Sequence, residues 1–136
     1  MIVFDASTVI GAALRADSVP ERALLRAEET DLLALSTSVE AEIAAVLGRP
    51  RFVEAIPAAR RARILDVLRR QAAWFEPAMR VTDCRDAKDN KYLELALASR
   101  AGTIVSSDLD LLVLHPWRGV RILRPVDYLA QAAPPA

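Results

Sequence analysis

The chain has 136 residues, 53 % of them hydrophobic and 26 % charged, with eighteen basic residues matched by eighteen acidic ones. That length and composition suit one globular domain able to bury its own core, and a formal net charge of zero excludes a protein held on nucleic acid by bulk charge alone. The single Cys84 excludes an internal disulfide and reads as a bystander thiol, while the single His115 excludes a mechanism that needs paired histidines.

Residues 1–4 read as a buried strand, and Ser7 to Leu14 as a loop entering a short helix. The apolar amino terminus has no basic n-region, carries Asp5 and lacks the ~18 consecutive apolar residues of a membrane span, so a cytoplasmic protein without a membrane segment is expected. Pro20 and Glu21 open a helix running to about Glu29, with proline in the favoured first turn. Leu32 to Leu35 is a second apolar strand. Thr37 with Glu40 fits a capping box for a helix carrying Val39, Ile43, Val46 and Leu47 on one face, which Gly48 and Pro50 stop. After an arginine-rich connection, Ala58 to Trp74 reads as a helix and Met79 to Thr82 as a third strand. A helix from Asp89 to Arg100 ends at Gly102, followed by strands at 103–106 and Val120 to Leu123 and a closing helix from Val126 to Ala130. Strands that are short apolar runs, alternating with helices, predict an α/β domain with a parallel sheet covered on both faces. No repeat or linker divides it, so a single domain over 1–130 is expected, with a frayed tail at 131–136.

Four acidic residues define the candidate site. Asp5 ends the first strand, Asp108 follows the strand at 103–106, and Asp89 opens a helix; in a parallel sheet these positions face one rim. Carboxylates gathered there would repel one another unless a divalent cation were bound. Asp5 is the strongest candidate, because a carboxylate directly after a buried strand is costly unless paired or coordinated. Asp86 and Asp89 also fit a plain helix start, and Asp108 a plain cap. Glu40 and Glu42 lie on opposite flanks of the apolar stripe; Glu40 has a capping role, which leaves Glu42 as the better candidate. Asp110 is either a further ligand or a loop charge. From Arg49 to Arg70, seven arginines stand against Glu54 and Asp66, a local balance of +5 that reads as a solvated helical face or as a phosphate-contacting flank.

The stretches Ile2-Val3-Phe4-Asp5-Ala6-Ser7-Thr8, Ser38 to Glu42 with Val46-Leu47-x-Arg49-Pro50-Arg51-Phe52, Asp86-x-Lys88-Asp89-Asn90-Lys91-Tyr92-Leu93, and Ser106-Ser107-Asp108-x-Asp110-Leu111-Leu112 together resemble PIN-domain ribonucleases. The resemblance is to the branch of toxin components of toxin–antitoxin systems (VapC-like) and covers nearly the whole chain. It implies a three-layer α/β/α sandwich with a central parallel sheet, RNA as substrate, and an antitoxin protein as partner. It also implies Mg²⁺ or Mn²⁺ held by Asp5, Glu42, Asp89 and Asp108, the same residues being catalytic, with Ser7 or Ser106 as hydroxyl support and Asp86 and Asp110 as neighbours. Ser106 stands where Thr is more usual in the family, a change that keeps the hydroxyl.

Other classes are less consistent with the residues. A haloacid-dehalogenase-like nucleophile needs a second Asp where Ser7 stands, and a receiver domain needs a late strand-end lysine, whereas Lys88 and Lys91 both flank Asp89. An inactive PIN-like interaction module and a PIN nuclease of RNA processing remain as alternatives to a toxin. A homodimer is compatible with the Ala- and Leu-rich helices at 20–29 and 39–48, although the same residues suit a core.

Overall fold

The structure is a computed structural model and describes residues 1–131. Among the described residues, five short strands carry the sheet: β1 (Ile2–Phe4), β2 (Ala34–Leu35), β3 (Ala73–Trp74), β4 (Thr103–Val105) and β5 (Arg121–Leu123). β4 lies between β1 and β5, all parallel, with Val3 opposite Ile104 and Ile104 opposite Ile122. β2 and β3 pair in parallel as well, and a parallel bridge from Ile2 to Leu33 joins the two strips. The order across the sheet is therefore β3-β2-β1-β4-β5. Every residue of β1 and β4 is buried, as continuous apolar strands covered on both faces must be. The architecture is the expected three-layer α/β/α sandwich.

The helices around the sheet are α1 (Ala6–Leu14), α2 (Val19–Thr30), α3 (Thr37–Leu47), α4 (Pro50–Ala55), α5 (Ala58–Gln71), α6 (Asn90–Ser99), α7 (Leu109–Leu112) and α8 (Pro125–Gln131). A 3₁₀ turn over Ala87–Asp89 leads into α6. α6 packs against β1, β2 and β4, while α1 packs against α2, α3 and α5. Gly11 permits the close approach of α1 to α2, since a Cβ there would stand 3.1 Å from Pro20 Cγ.

Several expectations are corrected. Helix α1 begins at Ala6, with no loop before it, because Asp5 caps it and accepts the Thr8 amide at 3.0 Å. The cap of α3 is Ser36 and not Thr37; Thr37 donates its amide to Glu76 at 3.1 Å, and Glu40 pairs with Arg69. The arginine-rich connection contains α4, with Pro50 at its first turn. The helix expected through Trp74 stops at Gln71, and the third strand is 73–74, not Met79 to Thr82. A short apolar run fits either period, and here the edge of β2 captures it: Ala73 N donates to Leu33 O at 2.7 Å and Phe75 N to Leu35 O at 2.8 Å. Val81, from the displaced segment, instead donates its amide to Glu94.

The chain reverses after α6 at Arg100, whose φ of 56° is left-handed, and not at Gly102. The closing helix extends to Gln131, the first residue of the expected tail, and 132–136 lie outside the described residues. Of the Ala- and Leu-rich helices compatible with a homodimer, α2 buries Ala23, Leu24 and Ala27 and α3 buries Leu47 in this chain's own core, while Leu25 is exposed. Among the described residues no helix is long and apolar enough to cross a membrane.

Candidate active site

All four acidic residues singled out from the sequence line one cleft of about 360 Å³, together with Ser7, Arg49, Arg51, Lys88 and Tyr92. β1 delivers Asp5, β4 delivers Asp108 through Ser106, α3 delivers Glu42, and the 3₁₀ turn delivers Asp89. Parallel β1 and β4 end side by side, which is why residues far apart in sequence share a rim.

Asp5 is 3 % exposed and held by hydroxyl groups. Its Oδ1 accepts from Thr8 Oγ1 at 2.8 Å, Ser7 Oγ donates to both carboxylate oxygens at 2.9 Å, and Ser106 Oγ donates to Oδ2. Burial pushes its carboxyl above the ordinary range, and the hydrogen bonds from Ser106, Thr8 and Ser7 act in the opposite direction. Ser106 also accepts the Asp108 amide at 2.9 Å, and Asp108 Oδ1 accepts the amide of Asp110 at 2.9 Å as the cap of α7. Both hydroxyls named as support, Ser7 and Ser106, thus touch Asp5.

Asp89 is the least satisfied member. It is 5 % exposed, and its Oδ2 is buried with no hydrogen-bond partner among the described residues. Desolvation, the neighbouring Asp108 carboxyl, and then the charges of Asp86 and Glu42 push it up to about 7. Asp86 itself caps the 3₁₀ turn by accepting the Lys88 amide, and Asp110 contributes its backbone amide to Asp108; neither lines the cleft.

Glu42 is held differently. Tyr92 donates its phenolic hydrogen to Oε1 at 2.8 Å, and the Lys91 ammonium pairs with Oε2. Tyr92 also accepts the Ala6 amide at 3.1 Å. Burial, followed by the bond to Glu42, pushes the Tyr92 phenol far above its ordinary value, so it remains a donor at any physiological pH. Sequence reasoning did not assign Lys91 or Tyr92 to the site. Their signal was their place in the motif, two and three residues after Asp89.

The arginine flank divides. Arg49 and Arg51 line the cleft, with Arg51 stacked 4.4 Å from the Phe52 ring centroid, and Lys88 joins them. Arg60 instead turns to the end of α1, donating to Ala12 O and Ala13 O at 2.7 Å and pairing with Glu21. Arg61 donates to Val53 O at 2.9 Å, Arg63 lines a separate groove between α2 and α5, and Arg69 and Arg70 pair with Glu40 and Asp66. His115 accepts the Ile122 amide at Nδ1 and Cys84 is buried, so neither enters the chemistry of the cleft.

Among the described residues no three carboxylate, imidazole or thiol side chains form a ready-made metal cage. An all-oxygen set with one buried, unpartnered carboxylate oxygen is nevertheless the donor chemistry of Mg²⁺ or Mn²⁺. Mg²⁺ usually keeps several waters and takes only about one or two carboxylates, so a closed cage is not required.

A search among curated proteins finds no match. Among solved structures, the fold is similar to a chain of the crystal structure of VapBC2 from Rickettsia felis bound to a DNA fragment from their promoter. The TM-score is 0.55 at 13 % identity, covering 90 % of this chain and 97 % of that one. The T. brucei RRP44 PIN domain is similar at a TM-score of 0.48 and 19 % identity, covering 96 % of this chain and 79 % of that one. A family model described as PIN domain matches residues 1–110, and with that match the chain belongs to the PIN-domain family, whose members are generally nucleases.

Proposed function

We propose that this protein is a metal-dependent ribonuclease that hydrolyses RNA phosphodiester bonds as the toxin of a toxin–antitoxin pair in the cytoplasm. The acting unit in this reading is residues 1–130 as one domain. The observation that carries the metal is the orphaned, buried Oδ2 of Asp89 in a cleft with three further carboxylates. A buried polar atom without a partner costs free energy, and carboxylates pushed together cost more, so the cleft is arranged for a cation.

Asp5, Glu42, Asp89 and Asp108 are the proposed catalytic residues and the proposed metal-binding set, each acting on the ion directly or through water. When bound, Mg²⁺ or Mn²⁺ would activate a water and neutralise charge on phosphate oxygens. Asp89 and Asp108 would hold the ion, with Asp5 positioned beside them by Ser7, Thr8 and Ser106. Glu42 would receive a proton from the attacking water. Arg49, Arg51 and Lys88, which line the same cleft, would grip the phosphodiester. The water oxygen would bond to phosphorus as one P–O bond breaks, and the leaving oxygen would take up a proton from solvent.

The role as a toxin is supported by the motif resemblance, and an antitoxin that blocks the cleft follows from the same chemistry. A guanidinium offered by a partner would be attracted to the unpartnered Asp89 oxygen and to Asp108 in the metal's place. The test is RNA cleavage by purified protein under Mg²⁺ or Mn²⁺ titration. Cleavage should follow added metal and stop in excess chelator; cleavage that persists in chelator overturns the mechanism.

A further inference from the structure

We propose that Lys91 and Tyr92 are positioning residues that clamp the Glu42 carboxylate, so that Glu42 meets the reaction through water and not as a direct metal ligand. The inference rests on the nuclease reading of the cleft and assigns unequal tasks to its acids.

The two oxygens of Glu42 each carry a protein donor, Tyr92 Oη at 2.8 Å on Oε1 and the Lys91 ammonium on Oε2. The ion pair is largely withdrawn from solvent, with side-chain exposures of 23 % and 19 %, so it is screened less than a surface pair. An ammonium already seated on Glu42 repels a divalent cation approaching the same oxygen. Asp89 presents the opposite case, a buried oxygen with no donor among the described residues. The ion is therefore directed towards the Asp89 side of the cleft. Each Glu42 oxygen still has a second lone-pair site, which can accept a hydrogen bond from water.

The clamp also sets distance. Tyr92 is 1 % exposed, and its oxygen bridges Glu42 to the Ala6 amide, the peptide next to Asp5. One buried phenol thus ties the end of β1 to α3. Lys91 and Tyr92 lie in the first turn of α6, directly after Asp89, so a single helix start places both the open carboxylate and the clamp on the closed one. Neither a metal cage nor a substrate contact is needed to explain the pair.

The test compares Glu42→Gln, Tyr92→Phe, Lys91→Met, Lys91→Arg and Asp108→Asn in Mn²⁺ binding, followed by electron paramagnetic resonance, and in steady-state RNA cleavage. Tyr92→Phe and Lys91→Met should lower kcat roughly 10- to 100-fold with KM for RNA little changed, because a misplaced group loses the transition state and not the substrate. Lys91→Arg should recover most of the rate. The loss of Mn²⁺ affinity in Glu42→Gln should stay within the roughly 10- to 100-fold that an outer partner is worth, while that in Asp108→Asn should exceed it. Lys91 is partly exposed and its replacement leaves the core untouched, so that variant decides the matter if Tyr92→Phe fails to fold. Equal Mn²⁺ loss in Glu42→Gln and Asp108→Asn, or a wild-type kcat in Lys91→Met, overturns the clamp while leaving the nuclease reading intact. A wild-type protein that neither binds Mn²⁺ nor cleaves RNA overturns both.

Discussion

Ser106 donates its hydroxyl hydrogen to Asp5 across the β1–β4 pair, linking residues 101 positions apart in sequence, and the same oxygen accepts the Asp108 amide. One fully buried hydroxyl therefore fixes the spacing of two candidate ligands. Ser106→Ala should destabilise the fold by about 1–3 kcal/mol, the cost of leaving buried polar groups unpaired. Ser106→Thr keeps the hydroxyl and should recover most of that loss. Urea denaturation of the three proteins checks this; an alanine variant as stable as the parent would show that the bond contributes nothing net.

Asp108→Asn should lower metal-dependent cleavage by on the order of 100-fold or more while retaining the fold, since even outer partners of a metal are worth about 10- to 100-fold. The asparagine can still cap α7 through its carbonyl oxygen, which is why the fold should survive. Asp5 is less clean as a probe, because its oxygens accept from Ser7, Thr8 and Ser106, and an amide nitrogen in place of one oxygen would oppose those donors. Circular dichroism with an RNA cleavage assay distinguishes loss of chemistry from loss of structure.

In the metal-free protein, the contribution of Asp89 to stability should fall as pH rises from about 4 to 7. Asp89 is raised from 3.8 to about 7, so the folded chain holds this proton more tightly than the unfolded chain. The associated stability is complete below 3.8 and lost as pH rises through about 7. Asp89→Asn removes the ionisation and should be more stable than the parent at pH 8, with the advantage shrinking towards pH 4. Added Mg²⁺ should also shrink it at pH 8 by offsetting the charge. Thermal melts across pH, with and without Mg²⁺, give the answer; a pH-independent difference between the two proteins contradicts the repulsion between the carboxyl groups.

Replacing Arg49, Arg51 and Lys88 together by Ala should raise KM for RNA and leave kcat nearly unchanged. The salt dependence of binding should flatten, its logarithmic slope falling by roughly 0.7 for each single-strand phosphate that these side chains neutralise. Arg60→Ala should act on stability alone, because its guanidinium closes the end of α1 and pairs with Glu21 away from the cleft. A drop in RNA affinity in Arg60→Ala as large as in the triple variant would restore the whole arginine run as one binding flank.

Much of the frame was legible along the chain. Apolar runs at Ile2–Phe4 and Thr103–Val105 read as buried parallel strands, and the carboxylates that follow them, Asp5 at once and Asp108 three residues after Val105, emerge at the same rim. The sequence by itself thereby determined the α/β class and the candidacy of Asp5 and Asp108. It did not separate helix from strand at 72–75, where short apolar runs fit both periods and the open edge of β2 decided. Nor could it sort the arginines, because side-chain direction depends on where α4 and α5 pack: Arg49 and Arg51 turn to the cleft, and Arg60 to the end of α1. The pairing of Tyr92 and Lys91 with Glu42, some 50 and 49 positions away, was likewise set only in three dimensions. Local spacing encodes which residues share an element, whereas partners on different elements are chosen by packing, and packing left the Asp89 Oδ2 without a partner among the described residues.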